Sequence, residues 1–179
     1  MNLPNRLTIA RIIAIPFFIF FLMTDFVPAS KWIAFGLFIA ASLTDFLDGY
    51  IARKNNLVTD FGKFADPLAD KLLVCSALIC LLSLNKINVY IVLIIIARDF
   101  IISGFRLVAS GKGVVIAADW SGKVKTALQM IMILFIIADI KIFAIVTLVL
   151  EIAVVILTIV SLIDCIVKNR KVLSEKKDA

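Results

Sequence analysis

Residues 45–70 read DFLDGYIARKNNLVTDFGKFADPLAD, where carboxylates and glycines interrupt an otherwise strongly apolar chain. Asp45 and Asp48 are spaced i,i+3, and Asp66 and Asp70 are spaced i,i+4, so each pair occupies one face of a helix. The polar run Lys54 to Asp60 between them reads as a loop, which makes the stretch a helical hairpin. At about 1.5 Å rise per residue, Asp48 and Asp45 lie roughly 8 and 12 Å inside Arg53. Counted from Gly62, Asp66 and Asp70 lie roughly 6 and 12 Å inside their own helix. Antiparallel neighbours would therefore bring four carboxylates to one depth.

The surroundings of this hairpin set its environment. The chain has 179 residues, of which 63% are hydrophobic, and a mean hydropathy of +1.10. A soluble domain hides only its interior from water and has no use for that much apolar surface. The composition is that of an integral membrane protein, and the length suits about six spans of roughly 20 residues. We expect an all-α, single-domain bundle of six transmembrane helices over about 7–24, 32–53, 62–84, 89–109, 122–138 and 142–167, with a charged tail over 168–179. Pro4 in the polar leader suits a turn or a first helical position. A signal peptide is the competing reading of the first apolar run, but Pro28-Ala29-Ser30 makes a weak cleavage site, and the run is kept as the first span.

Charge fixes the expected orientation. Lys and Arg cluster at the amino terminus, in the second–third and fourth–fifth connections and in the tail. The opposite side has only Lys31, Lys86 and Lys141. The positive-inside rule puts both termini and the hairpin tip in the cytoplasm, in a protein of the cell membrane. The net charge of +6 and pI of about 9.4 then reflect topology and attraction to anionic membrane lipids, and nucleic acid is not the expected partner. Cys75, Cys80 and Cys165 fall inside apolar runs and read as buried small apolar residues. Histidine is absent, which excludes Ser-His-Asp catalysis, histidine-ligated zinc and histidine-held haem.

An ionised Asp inside a span costs about 2.5–3.5 kcal/mol, so four cost on the order of 10 kcal/mol before their mutual repulsion. Basic residues of the hairpin, Arg53, Lys54, Lys63 and Lys71, offset part of this. Oxygen ligands without His or Cys suit hard cations such as Mg²⁺ or Mn²⁺, which would neutralise the cluster and offer attachment to phosphate oxygens. Each residue alone has a plainer explanation. Asp66-Pro67 looks like a helix cap followed by Pro at the first helical position, and Gly49 and Gly62 permit close helix packing. The whole set at fixed offsets is not explained that way.

The pattern Asp45-x2-Asp48-Gly49-x2-Ala52-Arg53-x8-Gly62-x3-Asp66-x3-Asp70 resembles, position for position, the signature of the CDP-alcohol phosphatidyltransferase family. That resemblance implies six transmembrane helices, a homodimer and two divalent ions that bind the pyrophosphate of a CDP-linked lipid. It implies that an alcohol attacks the lipid-side phosphorus and CMP leaves. On this chain Asp45, Asp48 and Asp66 would be metal ligands. Asp70 would complete the metal site and act as the base. Gly49 and Ala52 would give cytidine close access, and Arg53 and Gly62 would shape its pocket. Positioning and charge neutralisation by a pair of metal ions are what phosphoryl-type transfer needs.

The acceptor is read elsewhere. Arg98 and Arg106 lie on the fourth span, and Lys123, Lys125 and Thr126 start the fifth, a group of cations and a hydroxyl suited to a phosphorylated alcohol. The lysines can also serve simply as headgroup anchors, and Arg98 can pair within the bundle, Asp99 included. The segments Arg98-Asp99-x3-Ser103-Gly104-x-Arg106 and Gly122-Lys123-x-Lys125-Thr126-x2-Gln129, with the opening Pro4-Asn5-x-Leu7-Thr8-x2-Arg11, resemble the bacterial branch of the family that makes phosphatidylglycerophosphate. This implies CDP-diacylglycerol and sn-glycerol 3-phosphate as substrates. Arg106, Lys123, Lys125 and Thr126, with Arg11, are expected at the acceptor phosphate, and Asn5 and Thr8 beside the CDP-lipid. Competing readings are the same chemistry on inositol phosphate or phosphatidylglycerol, a divalent-cation transporter, and a structural scaffold with paired charges.

Overall fold

A computed structural model describes the backbone over residues 3–54, 60–111 and 120–169, and the side chains over 7–44, 68–111 and 120–169. Among the described residues there are six α-helices and no strand. They are α1 (Leu3–Met23), α2 (Ser30–Lys54), α3 (Asp60–Ser83), α4 (Val89–Gly111), α5 (Trp120–Ala138) and α6 (Ala144–Lys168), the last preceded by a 3₁₀ turn over Lys141–Phe143. The helix ends fall within four residues of those that hydropathy predicts. The largest difference is at α1, which starts at Leu3. Pro4 sits in its first turn, where a missing N–H leaves no helical bond unmade.

The chain divides into two compact units, one of residues 1–87 and 133–141, the other of residues 88–132 and 142–179. In the first, α1 packs against α2 and α3, which also touch each other. Its core is a set of stripes at helical spacing: Thr8, Arg11, Ile15 and Phe18 on α1, Ala34, Phe38 and Ala41 on α2, and Ala69, Leu73, Ala77 and Leu81 on α3. The alanines let helix backbones approach closely, which matters where lipid rather than water surrounds the bundle. Phe18 and Phe38 fill the space between their helices, with ring centroids 5.7 Å apart.

Asparagine and aspartate close the helices at one end of this unit. Asn85 adopts φ 55°, its N–H bonds the Leu82 carbonyl at 3.0 Å, and the Lys86 N–H bonds the Leu81 carbonyl at 2.9 Å. This is a Schellman closure with Asn in the left-handed position more often held by glycine. Asp139 (φ 47°) ends α5 in the simpler form, its N–H on the Phe135 carbonyl at 3.1 Å. Lys86 Nζ lies 2.9 Å from Asp139 Oδ2, and Lys31 Nζ donates to the Ala138 carbonyl at 2.8 Å. The hydrogen bond from Lys86 holds the Asp139 carboxyl below its ordinary range; burial opposes this slightly, and the charges of Lys86, Lys31 and Lys141 reinforce it. Two of the three lysines expected on the outer side are thus tied to helix ends.

In the second unit α4 packs against α6. Ile102 and Phe105 of α4 meet Cys165 and Leu162 of α6. Asn88 caps α4, its Oδ1 accepting from the Tyr90 N–H at 2.9 Å. The three cysteines are free; Cys80 and Cys165 are buried, as expected, and Cys75 is half-buried.

The outward faces are apolar. Along α6, Ile145, Leu148, Ile152, Ile156, Ile159 and Ile163 are all exposed. A soluble protein does not leave so continuous a hydrophobic surface to water. The segments Trp120–Ala138 and Lys141–Lys168 are long and apolar enough to cross a membrane. The helix α4 has the length but carries Arg98, Asp99 and Arg106 along it. Among the described residues the fold is all-helical, with two helices long and apolar enough to cross a membrane.

Candidate active site

The acidic motif spans two helices of the first unit. Asp45, Asp48, Gly49, Ala52 and Arg53 lie in the closing turns of α2, and Gly62, Asp66 and Asp70 in the opening turns of α3. Residues 55–59 join them and reach at most about 20 Å, whereas each helix is about 36 Å long. Both helices also pack along α1 and touch each other, so they run antiparallel. Asp48 is six residues from the end of α2 and Asp66 six from the start of α3, which puts both about 9 Å from the helix ends. Asp45 and Asp70, nine and ten residues in, lie about 14–15 Å from them. The four positions thus fall into two levels along the helices, one from each helix at each level.

Because α3 begins at Asp60, Asp66 and Pro67 lie inside it, and the Asp-Pro pair does not start the helix. The buried stripe of α2 is Ala34, Phe38 and Ala41, and Asp45 and Asp48 follow Ala41 in sequence at steps of four and three. That of α3 (Leu81, Ala77, Leu73) runs back to Ala69, next to the half-buried Asp70. The side chains of Asn5, Asp45, Asp48, Gly49, Ala52, Arg53, Gly62 and Asp66 lie outside the described residues. Among the described side chains no three Asp, Glu, Cys or His gather in a metal-binding group. Asp70 is the one expected ligand among them; it is half-buried and engaged with a neighbour.

Two further side chains of α1 belong to this unit. Thr8 and Arg11 are 0% and 2% exposed, and both have partners. The short connection 24–29 forces α1 antiparallel to α2 by the same length argument. Arg11, eight residues into α1 and about 12 Å from its start, therefore sits near the depth of Asp45 and Asp70.

The basic residues of the second unit form a different construction from a patch of surface cations. Lys125 is 1% exposed. Its Nζ lies 2.7 Å from Asp99 Oδ1, and the same oxygen accepts from Arg98 Nη1 at 2.9 Å. Arg98 Nε donates to Ser161 Oγ at 3.1 Å, and Ser121 Oγ donates to Asp164 Oδ2 at 3.3 Å. The site thus has α4, α5 and α6 linked through polar side chains. Gly122 lets α5 approach, since a Cβ there would stand 3.2 Å from Arg98 Nη2.

Arg106 and Lys123 are exposed, and Thr126 is half-buried with its hydroxyl on the Gly122 carbonyl at 3.0 Å. Lys123 and Lys125 are two residues apart, about 200° around the helix, and so face opposite ways. Sequence reasoning found Arg98–Asp99 as a possible pair but missed Ser161 and Asp164. A polar Thr158, Ser161, Asp164 series at helical spacing in an apolar run was the available signal.

The comparison with known proteins agrees with the motif. The CDP-alcohol phosphatidyltransferase family pattern matches residues 1–165. The chain is 48% identical over 141 residues to the CDP-diacylglycerol–glycerol-3-phosphate 3-phosphatidyltransferase of Bacillus subtilis (strain 168), covering 73% of each chain. It is 48% identical over 131 residues to the protein of the same name from Rickettsia bellii (strain RML369-C), covering 72% of this chain and 71% of that one. For Rickettsia felis (strain ATCC VR-1525 / URRWXCal2), again under that name, the values are 49% over 129 residues, 72% and 71%. The chain belongs to the CDP-alcohol phosphatidyltransferase family.

Proposed function

We propose that the protein transfers the phosphatidyl group of CDP-diacylglycerol to sn-glycerol 3-phosphate, forming phosphatidylglycerophosphate and CMP. The observation that carries this reading is the eight-residue acidic motif set on α2 and α3 within a chain nearly half identical to proteins of that name. The primary hydroxyl oxygen of the acceptor attacks the phosphorus that bears diacylglycerol. The bond from that phosphorus to the CMP oxygen breaks, and the hydroxyl proton passes to Asp70.

Asp45, Asp48, Asp66 and Asp70 present oxygen donors only, from two helices at matched depths, and this set fits two Mg²⁺ or Mn²⁺ ions. Such ions supply charge neutralisation at the pyrophosphate. Gly49 and Ala52, without bulk, leave room for the nucleotide, with Arg53, Gly62, Asn5 and Thr8 around it. Arg11 adds a buried positive charge at the carboxylate level. Lys125, Thr126 and Arg106 serve the acceptor phosphate, with Lys125 held in place by Asp99, while Lys123, on the opposite side of α5, anchors the helix at the headgroups.

The six helices cross the cell membrane with both termini and the acidic motif on the cytoplasmic side, and the protein works as a homodimer. The distribution of Lys and Arg supports that orientation. Thiol labelling in intact cells of Lys141→Cys, but not of Ser174→Cys, is the expected topology result.

The deciding experiment is release of CMP by the purified full-length protein from CDP-diacylglycerol with each acceptor in turn. Turnover that depends on sn-glycerol 3-phosphate is expected. Release that ignores it, or that inositol phosphate or phosphatidylglycerol supports better, overturns the assignment.

A further inference from the structure

Among the described residues of the second unit, four polar side chains are fully buried: Lys125, Gln129, Thr158 and Ser161. Three of them have partners. Lys125 is on Asp99, the Thr158 hydroxyl donates to the Val154 carbonyl at 2.6 Å, and Ser161 accepts from Arg98 while donating to the Thr158 carbonyl. Gln129 differs. It is 2% exposed and its Oε1 has no hydrogen-bond partner.

A buried amide oxygen left without a donor is costly, and such atoms in native proteins call for a specific explanation. The surrounding helix makes the cost avoidable, because leucine or methionine at position 129 would fill the same apolar environment. Gln129 lies four residues beyond Lys125 on the same buried face of α5, one turn or about 6 Å along the axis. The face therefore offers, in order, a cation and an acceptor oxygen that lacks a donor. Both are fixed on a helix rather than on a loop.

We infer that Gln129 Oε1 accepts a hydrogen bond from the secondary hydroxyl of the acceptor, and so selects a polyol phosphate. This rests on the reading of Lys125 as a phosphate contact. An acceptor such as glycerol 3-phosphate has one end anionic and carries two hydroxyls. The primary hydroxyl is consumed as nucleophile. The secondary one remains a donor throughout the reaction, and its natural complement is a neutral acceptor oxygen. A carboxylate at 129 would meet the phosphate with like charge, while an amide does not. No bond is made or broken at Gln129; its role is to distinguish acceptors.

The test uses the full-length protein in detergent with CDP-diacylglycerol. It compares sn-glycerol 3-phosphate with 3-hydroxypropyl phosphate, which keeps the phosphate and the primary hydroxyl and lacks the secondary one. Sites that hydrogen-bond a substrate hydroxyl reject the analogue without it, and one such bond corresponds to about a 10–100-fold preference in kcat/KM. In Gln129→Met, which keeps length and loses the oxygen, that preference should collapse to within about 3-fold. The loss should fall on glycerol 3-phosphate alone. Turnover of 3-hydroxypropyl phosphate, which does not use the amide, is the folding control and should stay near the native value. In Gln129→Asn, which keeps an amide one methylene shorter, part of the preference should survive.

The inference is overturned if the methionine variant keeps the native preference, or loses turnover of both acceptors alike. Equal use of both acceptors by the native protein also overturns it, while leaving the proposed function intact. No turnover of glycerol 3-phosphate by the native protein removes the proposed function itself, and the inference with it.

Discussion

Replacement of Asp99 by Asn removes one charge and almost no volume, and it strikes a carboxylate that holds two cations of the second unit. Asp99 Oδ1 accepts from Lys125 Nζ at 2.7 Å and from Arg98 Nη1 at 2.9 Å. The exposures are 1% for the Lys125 side chain, 11% for Arg98 and 18% for Asp99. Removing one partner of a buried ion pair costs about 3–5 kcal/mol, because the other charge is left uncompensated. Arg98 keeps Ser161 and some contact with solvent, and the Asn oxygen still accepts one bond, so the lower end applies, about 3 kcal/mol. For a chain of this size that is a fall in the unfolding midpoint of about 6–12 °C, followed by circular dichroism in detergent. Lys125→Met in the Asp99→Asn background removes the stranded ammonium and should recover about 1–2 kcal/mol. A midpoint for Asp99→Asn within about 2 °C of native, or a double variant no more stable than the single one, would refute the description of Lys125 as a buried charge neutralised by Asp99.

Three other outcomes follow from the proposed chemistry and the loop geometry. Asp70→Asn should lower turnover by at least about 10²–10⁴-fold, the usual worth of a general base, while the unfolding midpoint moves little; retained activity removes Asp70 as the base. Exhaustive chelation with EDTA should abolish CMP release, and added Mg²⁺ or Mn²⁺ should restore it; metal-independent turnover would contradict the role given to the four aspartates. Asp139 has its carboxyl pKa lowered by Lys86, so its contribution is present above the ordinary carboxylate range and is lost as pH falls below about 4. Asp139 is 61% exposed and solvent screens the pair, so Asp139→Asn should cost under about 1 kcal/mol at neutral pH. The difference from native should vanish in acid, and a constant difference across that range would show that charge is not its source.

Much of the fold could be read from where apolar runs stop. The loop Asn85–Asn88 is an example: a left-handed Asn ends α3 and Asn88 caps α4, and both are local chemistry that four residues can specify. Asp66-Pro67 shows the limit of local reading. The pair has the composition of a helix start, yet α3 begins six residues earlier, so the pair lies inside the helix. The acidic motif was legible because its chemistry is written in one continuous stretch. The partners of Lys125 were not, because Lys123 and Lys125 are the same residue type in the same headgroup zone. Only the rotation of α5 against α4, which supplies Asp99, determines that Lys125 is buried and Lys123 exposed.

That burial bears on how a cation already bound to a carboxylate can serve an anionic substrate. Arg98, Asp99 and Lys125 together have a formal charge of +1, since one carboxylate faces two cations. Asp99 therefore offsets enough charge for the group to sit inside the unit, and Lys125 has a further partner besides Asp99. Were Asp99 absent, two cations would repel at close range and the fixed position of Lys125 would be lost. A chain that wanted lysine only as a headgroup anchor has Lys123 for that purpose, exposed and two residues away. The half-buried Arg98 and the buried Lys125, with an amide oxygen still lacking a donor at Gln129 one turn along α5, suit a small molecule with phosphate at one end and a hydroxyl toward the other. Among the acceptors open to this family's chemistry, glycerol 3-phosphate meets both requirements at once, while phosphatidylglycerol would have to bring its diester phosphate and two acyl chains into the same buried face.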